Sequence, residues 1–229
     1  MKVSMKKLLA PLLALALWGC SQESRLVSKA NGPHELMARW KLDVHGLSGG
    51  APNHFDIQVW EKGTTFRAHV NSTIPSMDGP TKEQCDILCD GKSIWEFNHR
   101  YEGSDEVTPP TQYAISDANK VRWVYFWRLP EVPFTKEGEK AINGRDCVHL
   151  KTVTQDVTRA TIEMHCYVDP KLGYLMKRTN SNAGETYGGQ LECLEVQAGP
   201  SFPAGHFDPP ANAQASDAPP GLWGIGIGL

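Results

Sequence analysis

The chain has 229 residues, a formal net charge of −3 and 40% hydrophobic residues, which suits one ordinary domain with a substantial core. Lys and Arg form no basic patch of the kind that nucleic-acid binding requires, so the sequence predicts no nucleic-acid partner. Neither a His-Glu-x-x-His zinc motif nor a Walker-type glycine loop is present, and the sequence predicts a protein that is not an enzyme and has no cofactor.

The N-terminal leader is the most specific signal in the chain. Three early lysines precede an apolar run at residues 8–18, which is too short to span a bilayer as a helix. The run ends at Gly-Cys, which resembles the lipidation site of bacterial lipoproteins; an ordinary secretory signal is the alternative. The sequence thus predicts a signal peptide at residues 1–19 and an acyl chain such as palmitate on Cys20. Ser21 in place of Asp indicates the outer membrane.

Five cysteines follow the leader, and an oxidising compartment permits disulfides between them. The odd number leaves at least one cysteine unpaired within the chain, and the connectivity stays open. These residues are Cys85, Cys89, Cys147, Cys166 and Cys193.

The first half of the mature chain reads as a tether followed by β-hairpins. Residues 20–34 are polar and predict a tether, with a short helix near its end. Residues 34–46 begin with a helix-like pattern and then alternate at Trp40, Leu42 and Val44, so their second half predicts the first strand. Two hairpins are then predicted from alternating segments that flank turn residues. Their strands are residues 55–62, 66–71, 85–88 and 93–98.

The middle of the chain gives weaker signals. Residues 113–129 contain the most apolar stretch of the mature protein, but their aromatic and β-branched content and a candidate helix cap at Asp117 leave helix and strand both open. Residues 130–140 are rich in proline and charge, and they predict a loop.

Three consecutive strands at residues 147–153, 160–168 and 174–179 form the clearest pattern. Pairing the first two so that Val148 lies opposite Cys166 keeps all apolar residues on one face, and it also places Lys151 opposite Glu163. This register predicts that Cys147 faces water. A further strand is predicted at residues 187–196.

The C-terminal residues change character. Residues 211–220 are rich in proline and alanine and predict a disordered linker, and residues 221–229 form a short apolar end that cannot span a membrane. Hairpin after hairpin with one apolar face predicts a mainly β (α+β) domain. Its apolar face must lie on helices, a second sheet or a ligand.

Several turns and strands resemble those of the LolA/LolB-like outer-membrane lipoprotein-sorting superfamily. The resemblance is carried by Asp90-Gly91-Lys92 followed by Trp95, by residues 142–150, by residues 168–177 and by residues 207–210. It covers about residues 35–210. It implies a curved antiparallel sheet that forms an incomplete barrel with a small helical lid, and a hollow that holds acyl chains.

The hollow implied by this resemblance would be lined by apolar residues of the predicted strands. Each could equally be a plain core residue, so the prediction concerns the set. The candidate residues are Phe55, Ile57, Val59, Phe66, Val70, Trp95, Leu150, Met164, Tyr174 and Met176.

Cys147, His149 and His165 share one predicted sheet face and suggest a transition-metal site as an alternative. Ordinary polar positions on a solvated face explain them better, and no metal is predicted. The sequence therefore predicts a non-catalytic, lipid-anchored protein of the cell envelope, facing the periplasm, that binds a lipid or an acylated lipoprotein, with trafficking to the outer membrane as its setting. The alternative is an envelope module that binds a protein partner or senses stress.

Overall fold

The computed structural model describes residues 22–45, 51–114, 127–130, 132–155, 161–182 and 189–216. These residues contain one helix, α1 (Gln22–Ala30), and twelve strands that belong to a single sheet. The strands are β1 (His34–Val44), β2 (Asn53–Gly63), β3 (Thr65–Ile74), β4 (Thr81–Cys89), β5 (Ser93–Tyr101), β6 (Thr111–Ala114), β7 (Thr135–Ile142), β8 (Arg145–Gln155), β9 (Thr161–Asp169), β10 (Tyr174–Asn182), β11 (Gly189–Ala198) and β12 (Gln214–Ser216).

The sheet consists of two antiparallel meanders, β1 to β6 and β7 to β11, joined where β1 pairs with β11. Its order is β12-β6-β5-β4-β3-β2-β1-β11-β10-β9-β8-β7, and only the short β12 pairs in parallel, with β6. A twisted sheet of this width must curl, and bulges such as the one between Arg39 and Trp40 add to the bend. The described strands form a curved sheet that does not close into a barrel, which confirms the predicted fold class.

One face of the sheet carries the hydrophobic core. In β2, Phe55, Ile57 and Val59 are buried while the residues between them are more exposed, because successive side chains of a strand point to opposite faces. We call this side the core face and the opposite side the outer face. Helix α1 and residues 127–130 cover part of the core face, where the ring of Phe66 meets that of Trp127 edge-on at 5.0 Å.

The predicted register between β8 and β9 is wrong by two residues. Val148 lies opposite Val168 rather than Cys166, and Leu150 lies opposite Cys166. A shift of two residues keeps every side chain on its predicted face, so the alternation that guided the prediction cannot distinguish the two registers. Lys151 still forms an ion pair with Glu163, at 2.9 Å, although it does so diagonally.

Cys147 is buried, which contradicts its predicted exposure to water. The turn between β7 and β8 is tied to β11, because Asn143 donates a hydrogen bond to the carbonyl oxygen of Cys193 and Arg145 donates one to that of Val196. These contacts bring the end of β8 that carries Cys147 against β11 and away from solvent.

All five described cysteines are free and buried. Cys85 and Cys89 lie on the same extended strand, where four residues span about 13 Å, too far for a disulfide.

Three segments differ from their predictions. β1 begins at His34, because the apolar alternation runs back through Leu36 and Ala38 where the sequence suggested a helical start. β7 occupies residues predicted as a loop; it is an edge strand exposed along most of its length, so it has no apolar alternation. β12 forms within the predicted disordered linker, while residues 115–126 and 217–229 lie outside the described part of the chain.

The outer face carries a polar cluster around Asp86. This carboxylate accepts hydrogen bonds from Arg67 (2.9 Å), His69 (2.7 Å) and Asn98 (2.7 Å). Arg67 also donates to the carbonyl oxygen of His206, which holds the segment after β11 against the outer face. These contacts stabilise the sheet on the side opposite the core.

Candidate functional site

Helix α1 lies on the core face and is fixed there mainly at its C-terminal end. Ala30 is buried, and Leu26 and Val27 pack against the core with part of their surface still exposed. The backbone after the helix is held by Asn31, whose side chain exchanges two hydrogen bonds of 2.8 Å with the main chain of Leu129.

Lys29 connects the helix to the turn between β9 and β10. Its Nζ donates hydrogen bonds of 2.8 Å to the carbonyl oxygens of Pro170 and Lys171. The stem of the Lys29 side chain crosses Gly173, where a Cβ atom would lie 2.3 Å from Lys29 Cγ. Gly173 also has a positive φ of 66°, so both the backbone and the helix contact require glycine there.

Replacing Gly173 with alanine is therefore expected to have two effects. The left-handed backbone costs about 1–2 kcal/mol of stability, and the new methyl group displaces Lys29 from its two carbonyl partners. Gly144→Ala is the matched control, because Gly144 also has a positive φ (75°) but open space around its Cα. Hydrogen exchange of the α1 amides should rise in Gly173→Ala and stay unchanged in Gly144→Ala. Equal exchange in both variants would contradict the role of Lys29.

A cleft of about 210 Å³ lies between α1 and the strands beneath it. We call it the helix cleft. Leu26, Val148 and Leu150 give it apolar walls from both sides, while the cations Arg25, Lys29 and Lys136 lie at its margin. The remaining lining residues are Gln22, Glu23 and Pro170. The cleft therefore offers apolar walls that suit an acyl chain.

A buried polar network underlies the attachment of α1. Glu61 of β2 lies on the core face and is only 1% exposed. The Tyr174 hydroxyl donates to its Oε1 at 2.8 Å, and Arg128 Nη2 donates to its Oε2 at 2.7 Å. Arg128 also donates to the carbonyl oxygens of Ala30 and Gly32. Glu61 thus links two strands, the segment at residues 127–130 and the end of the helix.

The charges around this network keep the Tyr174 hydroxyl protonated, so that it acts as a hydrogen-bond donor. Burial, together with the neighbouring Glu61 carboxylate, raises the pKa of Tyr174 well above its usual range. The hydroxyl is therefore protonated at any physiological pH, and a protonated phenol can donate to a carboxylate. The network supplies fixed polar contacts under the helix without leaving a buried acceptor unpaired.

The structure brings nine of the ten candidate hollow residues together on the core face. All nine are buried and belong to one continuous core: Phe55, Ile57, Val59, Phe66, Val70, Leu150, Met164, Tyr174 and Met176. Trp95 is also buried but pairs with Leu88, on the outer face. Of the nine, only Leu150 lines the helix cleft.

Sequence reasoning missed several residues of the site. Leu26 and Lys29 fall in the segment predicted as a tether, and Lys29 reaches partners more than 140 positions away. Glu61 could have been found, because the alternation of Phe55, Ile57 and Val59 continues to it and places a charge on the core face.

The three residues of the suggested metal site do not come together in the structure. His149 and His165 do meet, with 2.8 Å between their ring nitrogens, but the second nitrogen of His165 is bound to Glu163. Cys147 is buried away from them, beside Arg145 and Cys193. Among the described residues, no group of three or more His, Cys, Asp or Glu side chains could hold a metal ion.

The connection between β1 and β2 contains a serine-hydrolase-like motif. Residues 46–50 read Gly-Leu-Ser-Gly-Gly, which matches Gly-x-Ser-x-Gly. That motif activates a serine where a strand turns into a helix. Residues 46–50 lie outside the described part of the chain, and the described strands on either side of them, β1 and β2, pair antiparallel with each other.

In the described part of the chain, no helix has both the length and the apolar character needed to cross a membrane.

No protein-family model matches the chain, and no curated protein matches it. Similar solved structures include MucB, at 14% identity and a TM-score of 0.44, where the match covers 83% of this chain and 62% of MucB. The chain thus spans less than two thirds of that protein. An uncharacterized conserved protein from Thermus thermophilus matches at 12% identity and a TM-score of 0.48, covering 86% and 99% of the two chains.

A LolA superfamily protein, NE2245 from Nitrosomonas europaea, matches at 12% identity and a TM-score of 0.39, with 82% and 98% of the two chains covered. These low identities and TM-scores assign neither a family nor a function to the chain.

Proposed function

We propose that this protein is a non-catalytic binding protein of the bacterial cell envelope, and that it holds an acyl chain of a lipid or an acylated lipoprotein between α1 and the core face. The observation that carries the proposal is the helix cleft. Its walls are apolar on both sides, and Leu26 and Val27 of the helix above it keep part of their surface exposed. In this proposal the helix moves as a lid while the sheet beneath it stays in place.

The size of the cleft defines how binding must occur. Small-molecule pockets usually have volumes of about 300–1,000 Å³, and the cleft is smaller, at about 210 Å³. A bound chain must therefore displace α1 from Val148 and Leu150. Each buried methylene contributes about 0.8 kcal/mol, so a chain of roughly ten methylenes can offset the loss of a few helix contacts.

The position of the predicted lipid anchor fits this role. Cys20 precedes the first residue of α1 by two positions, so an anchored protein would hold the lid close to the membrane surface. Arg25 and Lys29 on the helix would then face anionic lipids, which attract basic side chains. We propose the periplasmic side of the outer membrane as the location, because Ser21 follows Cys20.

A second function is favoured by a different observation. The core face is already filled by large side chains, since Trp40, Phe55 and Tyr174 are fully buried. If these side chains leave no room for a ligand, the protein is an envelope module that binds a protein partner or senses stress, and the sheet serves as a scaffold. The same experiment separates the two functions.

The test is uptake of a fluorescent acyl probe whose emission rises in apolar surroundings. The mature chain carrying Cys20→Ser is expected to bind the probe, and Leu26→Asp is expected to weaken binding at least about tenfold, because a carboxylate at the cleft wall must be desolvated. Leu194→Asp is the matched control, since Leu194 is an exposed leucine on β11 outside the cleft. Absence of probe binding to the Cys20→Ser protein would favour the protein-binding module.

A further inference from the structure

Arg178 is a buried cation without a partner among the described residues. It lies on β10 and is 3% exposed, and the hydrogen bonds and ion pairs found between the described residues do not include its guanidinium. Burial lowers the pKa of its guanidinium, yet arginine remains protonated in proteins. A buried charge is strongly destabilising unless an anion compensates it, and the described part of the chain places no anion beside this one.

The buried acidic groups of the described residues do not supply that anion. Glu61 is bound by Tyr174 and Arg128, and the two other buried carboxylates have their own cations, as in the pairs Asp86–Arg67 and Asp169–Arg145. The cross-strand neighbour of Arg178 is Cys166. Burial raises the pKa of that thiol to about 12, so it is neutral at physiological pH and cannot balance the charge.

The register places Arg178 within reach of the helix cleft. Arg178 lies opposite Cys166, and Cys166 lies opposite Leu150, which lines the cleft. All three are on the core face, and two strand spacings separate Arg178 from Leu150 by about 10 Å. The guanidinium of Arg178 therefore lies on the same face as the cleft floor, two strands away from Leu150.

We propose that Arg178 binds the anionic head group, a carboxylate or a phosphate, of an amphiphile whose acyl chain lies in the helix cleft. The guanidinium presents a planar fork of N–H donors that matches the oxygens of either group. The chain then runs over Cys166 to Leu150 and Val148, beneath α1. This inference rests on the proposed function, because it names the class of ligand that the cleft accepts.

The experiment compares three ligands with the same chain and different head groups. Tetradecanoate, tetradecyl phosphate and methyl tetradecanoate compete with the fluorescent acyl probe for the mature Cys20→Ser protein, each below its aggregation concentration. The protein is expected to bind at least one anionic ligand about tenfold or more tightly than the neutral ester, as a charge-assisted hydrogen bond implies. The two anionic ligands distinguish a carboxylate from a phosphate.

Two variants test whether Arg178 causes the preference for an anionic head group. Arg178→Met removes the buried charge and keeps an apolar side chain of similar length, so it is expected to fold and to reduce the preference to about one. Lys177→Met is the matched control, because Lys177 is the next residue on β10 but lies on the outer face in an ion pair with Glu192. It should keep the preference. Arg178→Lys is the second variant if Arg178→Met does not fold, and it should retain only part of the preference.

Each of the other results would refute either the head-group site or acyl binding. Equal binding of all three ligands would refute the head-group site but leave acyl binding intact. A preference that survives in Arg178→Met would show that another group binds the anion. No binding of the probe or of any ligand would refute the proposed function and this inference together.

Discussion

Replacing Glu61 with alanine is expected to lower the free energy of unfolding by about 3–5 kcal/mol, as removal of one member of a buried ion pair does. The variant leaves the Tyr174 hydroxyl without an acceptor and Arg128 without its 2.7 Å partner. It also releases the segment that holds the end of α1. Urea denaturation followed by circular dichroism measures the loss.

Two further variants separate charge from hydrogen bonding. Glu61→Gln keeps an acceptor for Tyr174 but removes the charge that Arg128 needs, so its loss should be smaller than that of Glu61→Ala. Tyr174→Phe removes only the hydroxyl. Combining Tyr174→Phe with Glu61→Ala should cost less than the sum of the two single losses, because neighbouring residues of one network are coupled. A strictly additive result would contradict the network.

Replacing Leu150 with alanine is expected to destabilise the protein by about 2–5 kcal/mol, the usual cost of removing a buried leucine side chain. Leu150 is fully buried at the centre of the β8–β9 pairing and forms part of the floor of the helix cleft. The same change enlarges the cleft, so the variant should bind the acyl probe at least as well per folded molecule. Chemical denaturation and probe titration measure the two effects separately.

Val153→Ala is the matched control on the same strand. Val153 is 58% exposed on the outer face, so its truncation should change stability by no more than about 0.5 kcal/mol. A loss below about 1 kcal/mol for Leu150→Ala would mean that this position is not tightly packed, and the cleft floor would have to be assigned to other residues.

The fold could be predicted from the sequence where apolar alternation is strong. β8, β9 and β10 alternate clearly, and the sequence predicts their apolar faces correctly, although the predicted β8–β9 register is wrong and Cys147, predicted to face water, is buried. Alternation determines which face a residue occupies, whereas the register also depends on turn geometry and bulges, such as the bulge next to Leu175. β7 was missed for the opposite reason: an exposed edge strand buries almost nothing and leaves no periodic signal.

The candidate site could be predicted only in part. The alternation of apolar residues predicted the apolar floor of the site. It could also have predicted that Glu61 and Arg178 lie on the core face, because each follows the same every-second-residue pattern as the apolar residues of its strand. Residues 85–89 of β4 are all buried, so this strand has no alternation of apolar and polar residues. The sequence therefore did not show that Trp95 on the neighbouring strand lies outside the core. The attachment of α1 through Lys29 depends on two carbonyl groups far away in sequence, and no local pattern encodes such a contact.

The central claim is that the core face beneath α1 holds an acyl chain. Native mass spectrometry of the mature Cys20→Ser protein, purified from the periplasm, tests this claim most directly. We expect a population that carries one additional lipid-sized mass, which is lost after solvent extraction and returns when lipid is added. A single unliganded mass that stays unchanged with added fatty acids and phospholipids would contradict the claim.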